Sequence, residues 1–533
     1  MKPRILFLLN SVDVNRGGLT HASLRQASTF ADAGYETELL TFRYDPRFPV
    51  ICKKLVRMGK VSKNVHIRNL FHERALYRPT DRVRRKRVKV DISEYEKDYR
   101  VSKRPKHNAY RLYQGDAYMK YISLREDDTL DFIDYFDAHE RREKREYYDY
   151  YGQMTRLQHF TPEENKVAEE IFYNREGKVI LTMRHDPETD KITQVKNYGE
   201  DDRVLSETDG DQTPYRKDWL DQVIAESDRD TVVISDTRPT DELVVLLDDK
   251  KVKGLIRPHS NHLRNPDDPA SELNRRNKYA VESVKDVDGL VVLTEKQRQD
   301  IVERFGHPEK VFVVPNYYDP SPPKITGMRT FIINLQQRTR KIERDMKKVV
   351  IVSRFSSIKS IDHTIKAFKE VVAAVPEATL EIWGQGDKKQ EYKDLIKKLG
   401  LEDSVKVKGY TQRPENVYRS GALSVVTSKA EGFSLSVMES MVNETPVVSY
   451  DIRYGPSDMI EDGENGYLIR KGDTDALAKR MIHMLQHPEE TREMGIAAGR
   501  TMRTQFGIDS YQNKWFSLVD HLLGNDESRG AEE

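Results

Sequence analysis

Short, uninterrupted apolar runs, each followed by a loop and then by apolar residues at helical spacing, constrain the fold of this chain more than any other feature. The first is Ile5-Leu6-Phe7-Leu8-Leu9, stopped by Asn10. Such a run has no polar face to offer water, so it reads as a strand buried on both sides, the form found in parallel sheets. The loop Asp13-Val14-Asn15-Arg16-Gly17-Gly18-Leu19-Thr20 comes next, then Leu24, Ala27 and Phe30 at helical spacing, and Gly34-Tyr35 before a second strand over 36–42. Strand, glycine loop, helix and strand open a doubly wound α/β domain.

Near residue 70 the rhythm changes. A basic run occupies 82–89, and short Tyr-rich and β-branched segments follow, such as 117–124, 171–173 and 179–183. Turn chemistry separates them at Asn174-Arg175-Glu176-Gly177 and again over 186–190. Alternation over strand-length segments with such turns predicts an antiparallel, β-rich domain inserted over 71–204.

The α/β rhythm resumes with Trp219 and strands over 231–235, 254–256, 289–293 and 311–314. A proline-containing linker is expected over 316–323, and a polar helical stretch of unread role over 331–347. A second α/β half starts at Val349-Val350-Ile351-Val352 and continues through strands over 379–383, 405–407, 423–426 and 446–449. The expected organisation is therefore two Rossmann-like domains, 1–70 with 205–318 and then 319–508. A helix over 509–524 is expected to pack back on the first of them, and a disordered tail to occupy 525–533.

Composition narrows the function classes. Charged residues make up 33% of the 533, yet the net charge is +1, which argues against a nucleic-acid binder. Cys52 is the single cysteine, so no intrachain disulfide can form, in keeping with a reducing compartment. The apolar run near the N-terminus is too short for a signal peptide, and no window approaches the ~20 apolar residues of a membrane span. A cytoplasmic protein is expected, with at most peripheral contact at the inner face of the membrane.

The strongest local signal is Ser428-Lys429-Ala430-Glu431-Gly432-Phe433-Ser434-Leu435-Ser436-Val437-Met438-Glu439, placed between an apolar strand and a helix. Free amides and a partial positive charge at a helix N-terminus suit a diphosphate. Glu431 would stand at the strand end and Glu439 one turn into the helix, although the same pair also fits capping and surface roles. Arg354 and Lys359 follow the strand at 349–353, where two cations could neutralise a leaving diphosphate or simply be solvated. His259, in Arg257-Pro258-His259-Ser260-Asn261-His262, would stand at another strand end. No cysteine or carboxylate cluster accompanies these histidines, so zinc is not expected. Neither G-x-G-x-x-G nor a P-loop occurs, which argues against nicotinamide dehydrogenases and P-loop NTPases.

Together these motifs resemble family 4 of the retaining GT-B glycosyltransferases: E-x7-E as Glu431…Glu439, the Arg354/Lys359 pair, and the loops Gly384-Gln385-Gly386, Gly409-Tyr410-Thr411 and Gly455-Pro456-Ser457. Within it the chain is similar to bacterial poly(glycerol/ribitol-phosphate) α-glycosyltransferases of wall teichoic acid and to glycosyltransferases of serine-rich surface proteins. The supporting segments are the opening glycine loop, the inserted β-rich domain, His259-Ser260-Asn261-His262 and Tyr450-Asp451-Ile452-Arg453-Tyr454-Gly455-Pro456-Ser457-Asp458. The resemblance implies catalytic roles for Glu431, His259, Arg354 and Lys359. It implies donor binding by Glu439, Gly17, Gly18, Gly384, Tyr410, Gly432, Phe433, Ser434 and Leu435. The donor would be UDP-glucose or UDP-N-acetylglucosamine, with no metal or other cofactor. The acceptor would be an anionic polyol-phosphate polymer or a serine-rich protein, and the inserted domain would bind acceptor or join subunits in a homo-oligomer. A non-catalytic partner of an active paralogue is the rival reading. The basic run 82–89 fits either a polyanionic acceptor or protection of an exposed sheet edge.

Overall fold

The computed structural model describes residues 2–14, 18–75, 87–199, 201–318 and 342–524. Two parallel α/β sheets and one antiparallel ten-stranded sheet make up the fold. The chain falls into two compact units, 1–231 and 232–533.

In the first unit the strands Arg4–Leu9, Glu36–Thr41 and His66–Asn69 lie side by side in parallel, in that order. All six residues of Arg4–Leu9 are buried, as the apolar run required. Its one charge, Arg4, is tolerated because Glu38 pairs with its guanidinium and the Val223 carbonyl accepts from Nη1 at 2.7 Å. The helix Gly18–Asp32 follows the first strand.

The expected antiparallel insertion is a single sheet of ten strands in sequence order, from Arg100–Lys103 to Val204–Asp209. It runs past the expected edge at 204, because Val204–Asp209 pairs with Ile192–Tyr198 although almost every residue in it is exposed. Its hairpins turn through left-handed residues, including Gly115, Gly152 and Gly177, and Asp128, Asn165 and Asp190. One cluster in it, around Leu112, Ile122, Leu124, Leu130 and Ile133, is covered by Val90, Ile92, Tyr95 and Tyr99. Elsewhere Tyr44 packs against Phe71, Tyr147 and Phe172, at 5.9, 6.4 and 5.4 Å between ring centroids, and carries the Arg156 guanidinium over its face. Of the basic run 82–89, residues 82–86 lie outside the described residues. Arg87 pairs with Asp127 and Lys89 with Asp128, so both already have acidic partners.

The second unit holds the parallel strands Val252–Ile256, Gly289–Val292 and Val311–Val313, with Thr231–Ser235 beside the first of these. The closing helix Ile508–Leu522 buries Trp515 completely, with Arg257 5.4 Å from its ring. Tyr511 and His521 on the same helix meet Tyr317 and Phe312.

The other sheet of this unit has six strands, in the order Val405–Val407, Thr379–Trp383, Asp345–Val352, Gly421–Val426, Val447–Asp451 and Gly466–Arg470. One expectation is corrected here. The helical stretch expected over 331–347 ends as strand at Asp345–Lys347, because Asp345 pairs across the sheet with Gly421. Residues 331–341 of that stretch, 319–323 of the linker and the tail 525–533 lie outside the described residues.

Candidate active site

The six-stranded sheet reverses its winding between Asp345–Val352 and Gly421–Val426, and the loops leaving these two neighbours diverge at their carboxyl ends. Open α/β sheets bind ligands at such a switch point. Backbone packing shapes the crevice. A Cβ at Gly384 would stand 1.8 Å from the Ser353 carbonyl oxygen and one at Gly386 2.2 Å from that of Phe355, with φ of +150° and +154°. The two glycines thus let the loop after Thr379–Trp383 lie directly on the loop carrying Arg354. The Gly384 amide donates to Gly409 at 3.0 Å, and the next residue, Tyr410, is 65% exposed.

The Arg354 side chain is exposed and has no hydrogen-bond or ion-pair partner among the described residues. Lys359 behaves differently: its ammonium pairs directly with Glu431, and both side chains are mostly shielded, 14% and 16% exposed. Ser428 donates to the same Glu431 oxygen at 2.7 Å. The two loops are also tied through their main chains, the Lys429 amide donating to Ile358 at 2.8 Å and the Thr427 hydroxyl to Ser360 at 2.9 Å. Thus Lys359 and the first glutamate, read separately in the sequence, belong to one cluster, while Arg354 lies on the same strand-end loop without a side-chain contact to it.

The helix Leu435–Val442 starts beside it. Ser434 enters in a left-handed conformation, φ 67°, and no side chain caps the helix. The Ser434 hydroxyl is buried without a partner among the described residues. The first amides of the helix are left to bind an anion, with the partial positive end of its dipole behind them. Leu435 is 41% exposed at this entrance. Phe433 turns inward onto Phe506 in an apolar cluster, so only its main chain is free to meet a ligand. Glu439 is half-buried one turn further along and pushes the pKa of the buried Tyr418 hydroxyl further up, beyond the larger effect of burial.

His259 stands beyond the carboxyl end of Val252–Ile256, its Nε2 2.9 Å from Asp236 Oδ1. A carboxylate only accepts, so the ring proton sits on Nε2 and Nδ1 is left as an acceptor. Burial lowers the imidazole pKa, and nearby Arg257 adds to this, overcoming the opposing pull of Asp236; the ring is neutral. Gly432 brings the two strand-end systems together. A Cβ there would lie 2.4 Å from the His259 carbonyl oxygen and 2.7 Å from Ser260 Cα. Asn261 closes the contact by donating to the Arg453 carbonyl at 3.2 Å.

Of the expected residues, then, the second unit gathers Glu431, Lys359, Gly432 and the His259 loop directly, with Arg354 and the helix beginning at Leu435 on the adjoining strand ends. Gly18 is the first residue of Gly18–Asp32 in the first unit, and Gly17 lies outside the described residues. Five participants were assigned no role from the sequence: Asp236 and Asp300, and Ser428, Arg453 and Tyr454 although these three lie in the quoted segments. Asp236 had a local signal, since it directly follows a fully buried strand. Asp300 had none, being one acid among several on a polar helix. Among the described residues one group could offer metal ligands, His483, His487 and Glu490, with ligand atoms within 4.8 Å of one another. It sits where the helix Thr474–Gln486 meets Pro488–Gln505, not at a strand end.

Cations on one side of a switch point, carboxylates and a free helix N-terminus on the other, and a neutral imidazole across from them can hold a diphosphate-linked sugar. They can also stabilise charge developing on its leaving phosphate. This arrangement on two parallel α/β sheets defines a GT-B glycosyltransferase fold. The chain is similar to family 4 of these enzymes: residues 333–502 match the family described as Glycosyl transferases group 1, and residues 6–201 match Glycosyl transferase 1 domain A. Among its relatives is the poly(ribitol-phosphate) alpha-N-acetylglucosaminyltransferase of Staphylococcus aureus, 26% identical over 546 residues, or 97% of this chain and 99% of that one. Another is the poly(glycerol-phosphate) alpha-glucosyltransferase of Bacillus subtilis, 25% identical over 97% of this chain and 75% of the relative. The fold matches the crystal structure of an S. aureus TarM mutant in complex with fondaparinux, alpha-GlcNAc-glycerol and UDP. That match has a TM-score of 0.78 at 25% identity and covers 97% of this chain and 100% of the other. No helix among the described residues is long and apolar enough to cross a membrane.

Proposed function

We propose that this chain is a retaining, UDP-sugar-dependent α-glycosyltransferase that moves glucose or N-acetylglucosamine to a polyol-phosphate polymer of the wall teichoic acid type. The observation that carries the reading is the Lys359–Glu431 pair, set against the backbone of the His259 loop through Gly432. Relatives named for poly(ribitol-phosphate) and poly(glycerol-phosphate), each matched over 97% of this chain, support it.

In this reading the uncapped amides at Ser434 and Leu435, with Arg354 and Lys359, receive the diphosphate. Gly384 and Tyr410 border the nucleotide, Glu439 takes the ribose hydroxyls, and Glu431 the hydroxyls of the sugar. His259, neutral, orients the sugar through its free Nδ1. The glycosidic bond to UDP breaks as the acceptor hydroxyl attacks from the same face, its proton passing to the departing phosphate. Lys359 and Arg354 lower the barrier by neutralising charge on that phosphate. No step requires a metal. The inserted sheet would serve the acceptor or self-association, with the enzyme acting at the cytoplasmic face of the membrane.

The test is UDP release from UDP-glucose and from UDP-N-acetylglucosamine, with poly(ribitol phosphate), poly(glycerol phosphate), a serine-rich peptide or no acceptor. Release stimulated by one of the polymers supports the reading. Stimulation by the peptide alone moves the acceptor to protein, and no release from either donor makes the chain a non-catalytic partner. Polymer binding that is indifferent to salt would remove the electrostatic role of the basic run.

A further inference from the structure

Two signature segments, Asn261-His262 and Arg453-Tyr454-Gly455, have no part in the chemistry above; the second binds one carboxylate, and the first packs against the second. Asp300, on the helix Glu295–Phe305, is almost completely buried. Its Oδ2 accepts from Arg453 Nε at 2.8 Å and from the Tyr454 hydroxyl at 2.6 Å. The main chains of the same two residues bracket Glu431: its amide donates to the Arg453 carbonyl at 3.2 Å, and its carbonyl accepts from the Tyr454 amide at 2.9 Å. From the other side Asn261 donates to that Arg453 carbonyl, and the His262 ring lies parallel to Tyr454 at 5.9 Å. Gly455 leaves no slack, since a Cβ on it would fall 2.1 Å from the Phe433 carbonyl oxygen.

We propose that Asp300 is a positioning residue for Glu431: it anchors Arg453 and Tyr454, whose main chain fixes the loop that presents the Glu431 carboxylate beside Lys359 and the His259 loop. The inference rests on the glycosyltransferase reading above and adds to it the element that sets the geometry. Bonds from a guanidinium and a phenol to one buried carboxylate are charge-assisted and directional, so they define where residues 453 and 454 can lie. A catalytic group displaced by about 1 Å can lose about 10²-fold in rate without touching substrate differently in the ground state. Asp300 itself meets neither donor nor acceptor in this arrangement, which separates its effect from that of the groups it aligns.

The experiment measures kcat, KM and UDP affinity for the full chain and for Asp300→Asn, Tyr454→Phe, Glu431→Gln and the double variant Asp300→Asn/Glu431→Gln, with thermal melting as the folding control. The expected result is a kcat lower by roughly tenfold or more in Asp300→Asn and by a smaller factor in Tyr454→Phe, with UDP affinity within about twofold of the wild type. In the double variant kcat should fall no further than in Glu431→Gln alone, because residues acting as a unit do not add. Tyr454→Phe, which removes one hydroxyl, carries the test if Asp300→Asn does not fold. Unchanged kcat in the folded variants overturns the proposal, as do multiplicative losses in the double variant or a parallel loss of UDP affinity. A wild-type chain that releases no UDP from any donor overturns the underlying reading and this proposal together, whereas an active wild type with unaffected variants overturns this proposal alone.

Discussion

His259 and Asp236 leave the carboxyl ends of neighbouring parallel strands, and Nε2 of the one lies 2.9 Å from Oδ1 of the other. Burial keeps the imidazole neutral against the pull of Asp236, and the hydrogen bond between the two fixes the ring's orientation and tautomer. Asp236→Asn keeps the volume but offers an amide that can donate as well as accept, so the ring tautomer is no longer imposed. The expected outcome is a kcat lower by roughly tenfold to hundredfold with little change in KM for the donor, read from initial rates of UDP release. A wild-type kcat in this variant would deny the pair any part in the chemistry.

Lys359→Ala removes the cation that Glu431 and the departing phosphate share. Loss of one such group typically costs about 10²–10³ in kcat, and that range is expected here. The same change leaves Glu431 with Ser428 as its hydrogen-bond partner at 16% exposure, so a stability loss of about 1–3 kcal/mol should accompany it in urea unfolding. Full activity would place the diphosphate elsewhere.

Gly432→Ala tests the junction between the two strand-end systems. The added methyl would meet backbone at 2.4 and 2.7 Å, which no rotamer change can relieve. About 1–3 kcal/mol of destabilisation is expected by chemical denaturation, together with a loss of activity larger than that of a remote variant of equal stability. A fully stable Gly432→Ala enzyme would mean that the loops do not approach as described.

His262 gives a pH dependence with a definite sign. Burial lowers its pKa from 6.5 to about 4, so the folded state keeps the ring neutral where the unfolded chain would protonate it. Its contribution is intact above pH 6.5 and is lost as the pH falls from there toward 4, on the order of 3 kcal/mol in total. Unfolding free energies at pH 7.5 and 4.5 should therefore differ less in His262→Phe than in the wild type. Equal differences in the two would show that this ring does not couple stability to pH.

Much of the fold was legible in the sequence, because buried parallel strands announce themselves as short apolar runs. Thr379–Trp383 and Val405–Val407 lie where expected. The departures share a cause. Asp345–Lys347 reads as a polar helical extension and becomes strand through its partner, while the exposed Val204–Asp209 becomes strand only by pairing with Ile192–Tyr198. Gly466–Arg470 was not read as a strand at all, although it borders Val447–Asp451 in register. In each case the hydrogen-bonded neighbour supplies the preference that local composition lacks.

Sequence alone determined the α/β rhythm, the glycine-bearing loops at strand ends and the residue types gathered there: Glu431, Lys359, Arg354 and His259. These follow from periodicity and spacing, which act over a few residues. Only the tertiary structure decided that Lys359 pairs with Glu431, that Asp236 holds His259, and that Asp300 grips Arg453 and Tyr454. Those partners lie tens to more than a hundred residues apart, and strand order and loop packing, set by the burial of whole sheets, choose among many acids and bases of equal local merit.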